Sequence, residues 1–191
     1  MSDSSEFQLF WTNHYNLPPE PFRLIEPLEG AKQINYYTHF SWDETYDYDP
    51  NTSITYSFEL STDSLFGMIN WSRSGLTDLA LNIATDSLIA TGLTYWRVIA
   101  TDDDSLVRIG GIPEGPRTLM ILPPGDANSN GVTNGLDVGF LVNYLKGLGP
   151  APDPLLAGDA NGNCSTNGID VGYLVNFLKG IGPAPVRGDC P

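Results

Sequence analysis

Between residues 22 and 122, apolar and polar positions alternate in short runs: FRLIEPL, INYYTHFSW, SITYSFEL, LFGMINW, LTDLALNI, LTYWRVIA, VRIGG and RTLMIL. A period of two predicts strands that bury one face. Turn-forming residues separate the runs at Glu29-Gly30, Asp49-Pro50-Asn51, Ser74-Gly75, Thr91-Gly92 and Asp102 to Asp104. About seven strands in some hundred residues predict two packed antiparallel sheets, a β-sandwich. Beyond Pro123-Pro124 the period lengthens. Val138, Leu141, Val142 and Leu145 follow helical spacing, as do Val171, Leu174, Val175 and Leu178. Gly147, Gly149 and Pro150 end the first predicted helix; Gly180, Gly182 and Pro183 end the second.

Ahead of the sandwich, Phe7, Leu9 and Trp11 alternate with Gln8, Phe10 and Thr12, a strand pattern cut off by Pro18, Pro19 and Pro21. Such a strand either adds to this chain's own sandwich or is donated to a neighbouring copy, where Phe7, Leu9 and Trp11 would fill pockets. The chain therefore divides into an aromatic segment (1–21), a sandwich (22–122), a Pro-Pro linker (123–124) that restricts swinging, and a C-terminal module (125–191).

The C-terminal module is a repeat. Residues 125–152, GDANSNGVTNGLDVGFLVNYLKGLGPAP, return 33 residues later as GDANGNCSTNGIDVGYLVNFLKGIGPAP over 158–185. Each copy opens with a loop that counts as a twelve-position calcium loop. In the first, positions 1, 3, 5, 7, 9 and 12 are Asp126, Asn128, Asn130, Val132, Asn134 and Asp137, with Gly131 at position 6. The second supplies Asp159, Asn161, Asn163, Ser165, Asn167 and Asp170, with Cys164 in place of the glycine. A hard cation wants six to eight oxygens. This spacing offers side-chain oxygens, the backbone carbonyl of position 7 and a closing carboxylate from the first helical turn. Two ions are expected. Asp at position 12 departs from the usual EF-hand glutamate.

The duplicated run G-D-x-N-x-[ND]-G-x-x-N-x-x-D-x-x-x-L-x-x-Y-L resembles a dockerin over the last third of the chain. The resemblance implies a small all-α module with two EF-hand-like calcium loops packed about a pseudo-twofold axis, anchoring an extracellular protein to a cohesin. It implies contact positions at Gly135, Leu136, Val142, Asn143 and Gly147, and again at Gly168, Ile169, Val175, Asn176 and Gly180. Two near-identical faces imply two nearly equivalent docking orientations. The same positions also suit packing inside the module.

The preceding segments are similar in order to a fibronectin type III domain. The residues that carry this are Pro27, Gly30, Trp42, Tyr56-x-Phe58-x-Leu60 and Trp96-x-Val98-x-Ala100-x-Asp102. The position of the corner tyrosine of such domains is Thr94 here.

Composition narrows the function. A formal net charge of -14 disfavours nucleic acid and anionic membranes as partners and favours cations and an extracellular setting. No apolar run reaches the length of a membrane span, and residues 1–20 lack the basic start and apolar core of a signal peptide. Cys164 and Cys190 are the only cysteines, and one stands where a loop glycine is expected. A disulfide between them is predicted, which calls for an oxidising compartment. Its closure is worth roughly 3–4 kcal/mol in the chain-entropy picture.

Catalytic groupings are thin. The two histidines, His14 and His39, lie in different segments, and Asp43, Glu44, Asp47 and Asp49 read as a solvated acidic turn. The Asp102-Asp103-Asp104 run reads as a polar hairpin end. Trp11, Tyr36, Tyr37, Trp71 and Tyr95 could stack on sugar if they shared an exposed face, but strand aromatics default to the core. The reading is a non-catalytic, secreted attachment or assembly protein. Its partner is a cohesin-like protein or copies of itself in a filament. The alternative is a polysaccharide-binding accessory region of a larger enzyme.

Overall fold

The computed structural model describes residues 16–49, 52–85 and 91–190. The predicted strand carrying Phe7, Leu9 and Trp11 lies outside the described residues. The described chain forms an all-β sandwich followed by a small α-helical module. In the sandwich, β1 (Leu24–Glu26), β3 (Tyr37–Trp42) and β6 (Ala80–Ala84) make one antiparallel sheet, with β3 central. The second sheet runs β2 (Ala31–Gln33), β9 (Arg117–Ile121), β7 (Gly92–Thr101), β4 (Thr55–Ser61), β5 (Trp71–Leu76), and β8 (Val107–Ile109) also pairs with β7. This order is that of a fibronectin III-like sandwich.

The alternation of the sequence explains why the sheets pack. In β7, Thr94, Trp96, Val98 and Ala100 are buried while Tyr95, Arg97 and Ile99 face outward. Phe40 of β3 meets the rings of Phe58 and Trp96 across the core at 4.6 and 5.2 Å between centroids. Phe22, Leu24, Trp42, Tyr56, Leu60, Leu119 and Ile121 complete the same apolar layer. A buried phenyl or leucyl side chain contributes about 1.5–3 kcal/mol, so this layer holds the sandwich together.

Three features differ from the sequence expectation. The LFGMINW run is a strand only from Trp71 onward. Before it, the Asp63 carboxylate accepts the amides of Leu65 at 3.0 Å and Gly67 at 2.9 Å, and Phe66 turns to φ 55°. A carboxylate that captures two amides removes them from any ladder. Ser74-Gly75 is not a turn but lies within β5, where Gly75 at φ 68° accompanies a register shift against β4. The third is β2, too short to read from pattern. It pairs parallel with β9, so the second sheet is not wholly antiparallel.

The C-terminal module contains α1 (Gly135–Leu145) and α2 (Gly168–Leu178), joined by a stretch that includes a 3-10 turn at Leu155–Gly158. Leu141 and Leu174 are fully buried with Ala127 and Ala160, and Val138, Phe140, Val171 and Tyr173 pack around them. Leu145 and Leu178 belong to the predicted apolar stripes yet stand outside this core, each 43% exposed. The two units interlock reciprocally. A Cβ at Gly125, before the first loop, would stand 2.8 Å from Leu174 of α2. One at Gly158, before the second, would stand 2.7 Å from Leu141 of α1.

The modules also touch each other. Ile34 and Leu122 of the sandwich are buried against Ala157, with Met120 and Leu156 beside them. Lys32 Nζ reaches the Asp153 carboxylate at 3.0 Å. The exposed ion pair is worth little, so the apolar cluster is the larger contribution.

Candidate metal centres and docking faces

Each loop folds by the same chemistry. Asp126 accepts the amides of Asn130 at 3.0 Å and Gly131 at 2.7 Å. Asn128 and Asn130 each accept the amide two residues ahead. Asn134 caps α1 by accepting the Leu136 amide, and the Asp137 carboxylate in turn accepts the Asn134 amide at 2.8 Å. The second loop repeats this. Asp159 accepts from Gly162, Asn163 and Cys164, and Asp170 accepts from Ala160 and Asn167. These bonds turn the side-chain oxygens toward the loop's own amides, the Asp159 and Asp170 Oδ1 atoms each accepting two of them. The remaining lone pairs stay available to a cation.

The electrostatics also ask for a cation. Asp126, Asp137 and Asp170 are fully buried and Asp159 nearly so. Burial pushes the Asp137 and Asp170 carboxyls above the usual carboxylate range, and the like charges of Asp126 and Asp159 add to this. Two buried like charges with no lysine or arginine among their hydrogen-bond partners in the described residues are costly unless a cation sits between them. The donor set is all oxygen, which fits calcium and not a soft metal. When bound, calcium would supply the positive charge that lets both carboxylates of a loop stay ionised. Asp126, Asn128, Asn130, the Val132 carbonyl, Asn134 and Asp137 would hold it in the first loop. Asp159, Asn161, Asn163, the Ser165 carbonyl, Asn167 and Asp170 would do so in the second.

The positions expected to meet a partner lie on the outer surface. Leu136 and Ile169 are 67% and 65% exposed, and Asn143 and Asn176 are exposed beside them. Val142 and Val175 are half-buried, so each serves the module's packing and its surface. Leu148 and Ile181, which the sequence reading did not assign, extend the two faces at 75% and 74% exposure. Their signal was present in the conservative Leu/Ile exchange at matching repeat positions.

Cys164 and Cys190 form a disulfide with Cα atoms 5.4 Å apart. Cys164 adopts φ 64°, the left-handed backbone that Gly131 supplies at the same position of the first loop with φ 89°. Sequence reasoning did not find Arg187. Its guanidinium donates to the carbonyl of Ile34 at 2.9 Å and to that of Leu122, both in the sandwich.

Elsewhere the acidic and aromatic groups serve the fold. Asp49 accepts the Leu17 amide, Asp47 accepts that of Asp49, and Asp103 binds Ser53 through both carboxylate oxygens. His39 bonds Asn82 across β3 and β6. Tyr36 and Tyr37 pair with each other at the start of β3, whereas Trp71 packs on Phe58 and Tyr95 stands on the outer side of β7. These four rings do not share one face.

Comparison with known proteins agrees with the geometry of the C-terminal module. The family described as Dockerin type I domain matches residues 124–179. No curated protein matches the chain. Among solved structures, the fibronectin(III)-like modules of Clostridium thermocellum CbhA align over 52% of this chain and 92% of theirs, with 16% identity and a TM-score of 0.31. That likeness is too low to argue from, and the sandwich stands on its own strand order. With paired acidic loops, reciprocal helices and a matching family over the same stretch, residues 124–179 of this chain form a dockerin type I domain, carried behind a fibronectin III-like sandwich.

Proposed function

We propose that this chain is a non-catalytic extracellular attachment unit. Its dockerin domain binds two calcium ions, one per loop, and docks onto a cohesin-like protein. The observation that carries this is the duplicated apolar face: Leu136 and Ile169 stand out by 67% and 65%, and Leu148 and Ile181 by 75% and 74%. Four large side chains held in water at equivalent places of two repeats have a cost that contact with a partner removes. Helix starts that double as metal loops explain why docking would need calcium: the ion fixes the first turn that presents Leu136 and Ile169.

The setting follows from the same groups. Each loop supplies only two carboxylates, which suits the high calcium levels outside cells rather than sensor affinity. A disulfide persists in the same surroundings. Titrating the full chain against a panel of cohesins by calorimetry, with calcium and with chelator, tests the reading. Calcium-dependent one-to-one binding supports it. Calcium-dependent association of the chain with itself, or binding to polysaccharide alone, replaces the partner. Absence of calcium binding ends the proposal.

A further inference from the structure

The two repeats differ where the C-terminal tail crosses them. Position 4 of the first loop is Ser129, and in the second it is Gly162. A Cβ on Gly162 would stand 3.1 Å from the Val186 side chain and 3.2 Å from the Arg187 carbonyl group. The Val186 amide donates to Ala160 at 3.2 Å. Two residues after Arg187 comes Asp189, and then Cys190 is bonded to Cys164 at position 6. The tail is thus stitched across the second loop alone. Its Arg187, only 9% exposed, spends two donors on sandwich carbonyls just past the ends of β2 and β9, those of Ile34 and Leu122. A small cavity of about 10 Å³ brings Ile34 and Asn35 of the sandwich against Asp159, Arg187 and Cys190. Asp159 is position 1 of the second loop, so an expected calcium ligand lies in the seam between the modules.

We infer that the tail couples the second loop to the sandwich, so that occupancy of that loop and docking of the two modules favour each other while the first loop titrates on its own. The inference rests on the calcium reading. The physical route is short. A cation draws in Asp159 and fixes the curl of residues 159–164. That curl holds the tail by Ala160, Gly162 and Cys164, and the tail holds Arg187 in the sandwich. Linkage is reciprocal, so a sandwich contact that steadies the tail raises calcium affinity at the second loop by the same factor. Among the described residues, the first loop reaches the sandwich side through Ser129, whose hydroxyl donates to the carbonyl of Asp153 in the inter-repeat linker, itself paired with the exposed Lys32, and through the linker prolines, where the Asp126 amide donates to Pro123 and the Thr133 hydroxyl to Pro124. None of these uses a side-chain oxygen expected to hold the ion, and none reaches a strand of the sandwich from a ligand atom.

The test uses the full chain with Arg187→Met, which keeps the stem and removes both donors, and with Gly162→Ser, which copies the first loop and pushes the tail away. Each is combined with Asp126→Asn or Asp159→Asn, so that calorimetry reads one loop at a time. The expected result is a loss of at least about fivefold in calcium affinity at the second loop and no change at the first. Small-angle scattering should show a larger radius of gyration for both variants in chelator than for the parent in calcium. Unchanged tryptophan fluorescence would show that the sandwich still folds. Equal loss at both loops, or no loss at either, overturns the coupling and leaves the calcium reading intact. A parent chain that binds no calcium overturns both.

Discussion

Asn134 and Asp137 cap one another: the Asn134 side chain accepts from the start of α1, and the Asp137 carboxylate accepts the Asn134 amide at 2.8 Å. Both are also expected calcium ligands, so helix nucleation and metal binding would use the same atoms. Asn134→Ala should therefore act twice. Without calcium it removes a cap, a loss of about 1 kcal/mol. With calcium it removes an oxygen as well, so the gap between parent and variant should widen. Melting curves with calcium and with chelator measure both gaps. Equal gaps would mean that Asn134 acts as a cap alone.

Thr94 fills the place of a corner tyrosine in β7, and its hydroxyl is buried with no hydrogen-bond partner among the described residues. A buried hydroxyl without a partner lowers stability. Thr94→Val keeps the shape and removes the polar atom. The sandwich should melt at the same temperature or higher, by up to about 1 kcal/mol in stability. A clear loss would show that the hydroxyl has a bond after all.

The loops and helices were legible because Asp and Asn at fixed spacing capture the loop's own amides and cap the helix that follows, twice over. The central strands were legible because β4 and β7 keep strict alternation through Tyr56, Phe58 and Leu60, and through Trp96, Val98 and Ala100. The failures have local causes. Residues 65–70 carry strand-like apolar groups, but one carboxylate, Asp63, decides their backbone. Gly75 reads as a turn and is a bulge, since glycine serves either. Arg187 was invisible because its partners are backbone carbonyls 153 and 65 residues away, and a carbonyl leaves no mark on sequence.

Cys164 trades a relaxed turn for a covalent tie. Left-handed backbone costs an ordinary residue about 1–2 kcal/mol. Cross-linking over a separation of 26 residues stabilises by about 3.5 kcal/mol in the chain-entropy account. The double change Cys164→Gly with Cys190→Ser relieves the first and loses the second. It should lower the module's stability by about 2 kcal/mol. Alkylation of the unreduced parent, read by mass spectrometry, should add no label before reduction and two after it.

Arg97 grips the sandwich's outer side. Its Nε and one terminal nitrogen both reach the same Glu59 oxygen at 2.7 Å, and its guanidinium carbon lies 4.1 Å from the centre of the Phe66 ring. Phe66 is the left-handed residue of the Asp63 turn, so Arg97 lids that turn. Lysine keeps the charge but not the fork or the plane. Arg97→Lys should cost about 1 kcal/mol and speed cleavage between residues 62 and 70 in limited proteolysis. Cleavage at the parent rate would mean the Asp63 bonds hold the turn unaided.

The duplicated face makes a quantitative prediction about the proposed partner. If either repeat can lead the contact, removing one leading side chain removes one of two equivalent bound states. Losing half the bound states lowers the association constant about twofold, because only a factor of two enters RT ln K. Leu136→Ala and Ile169→Ala should each show that small loss. Together they strip both orientations, and the double variant should fall by tenfold or more, since an apolar anchor at an interface is worth above about 1 kcal/mol. The sum of the single losses would then greatly understate the double loss. Calorimetry of the four chains against one cohesin, in calcium, decides it. Additive losses would assign one fixed orientation. A double variant that binds like the parent would place the contact away from Leu136 and Ile169.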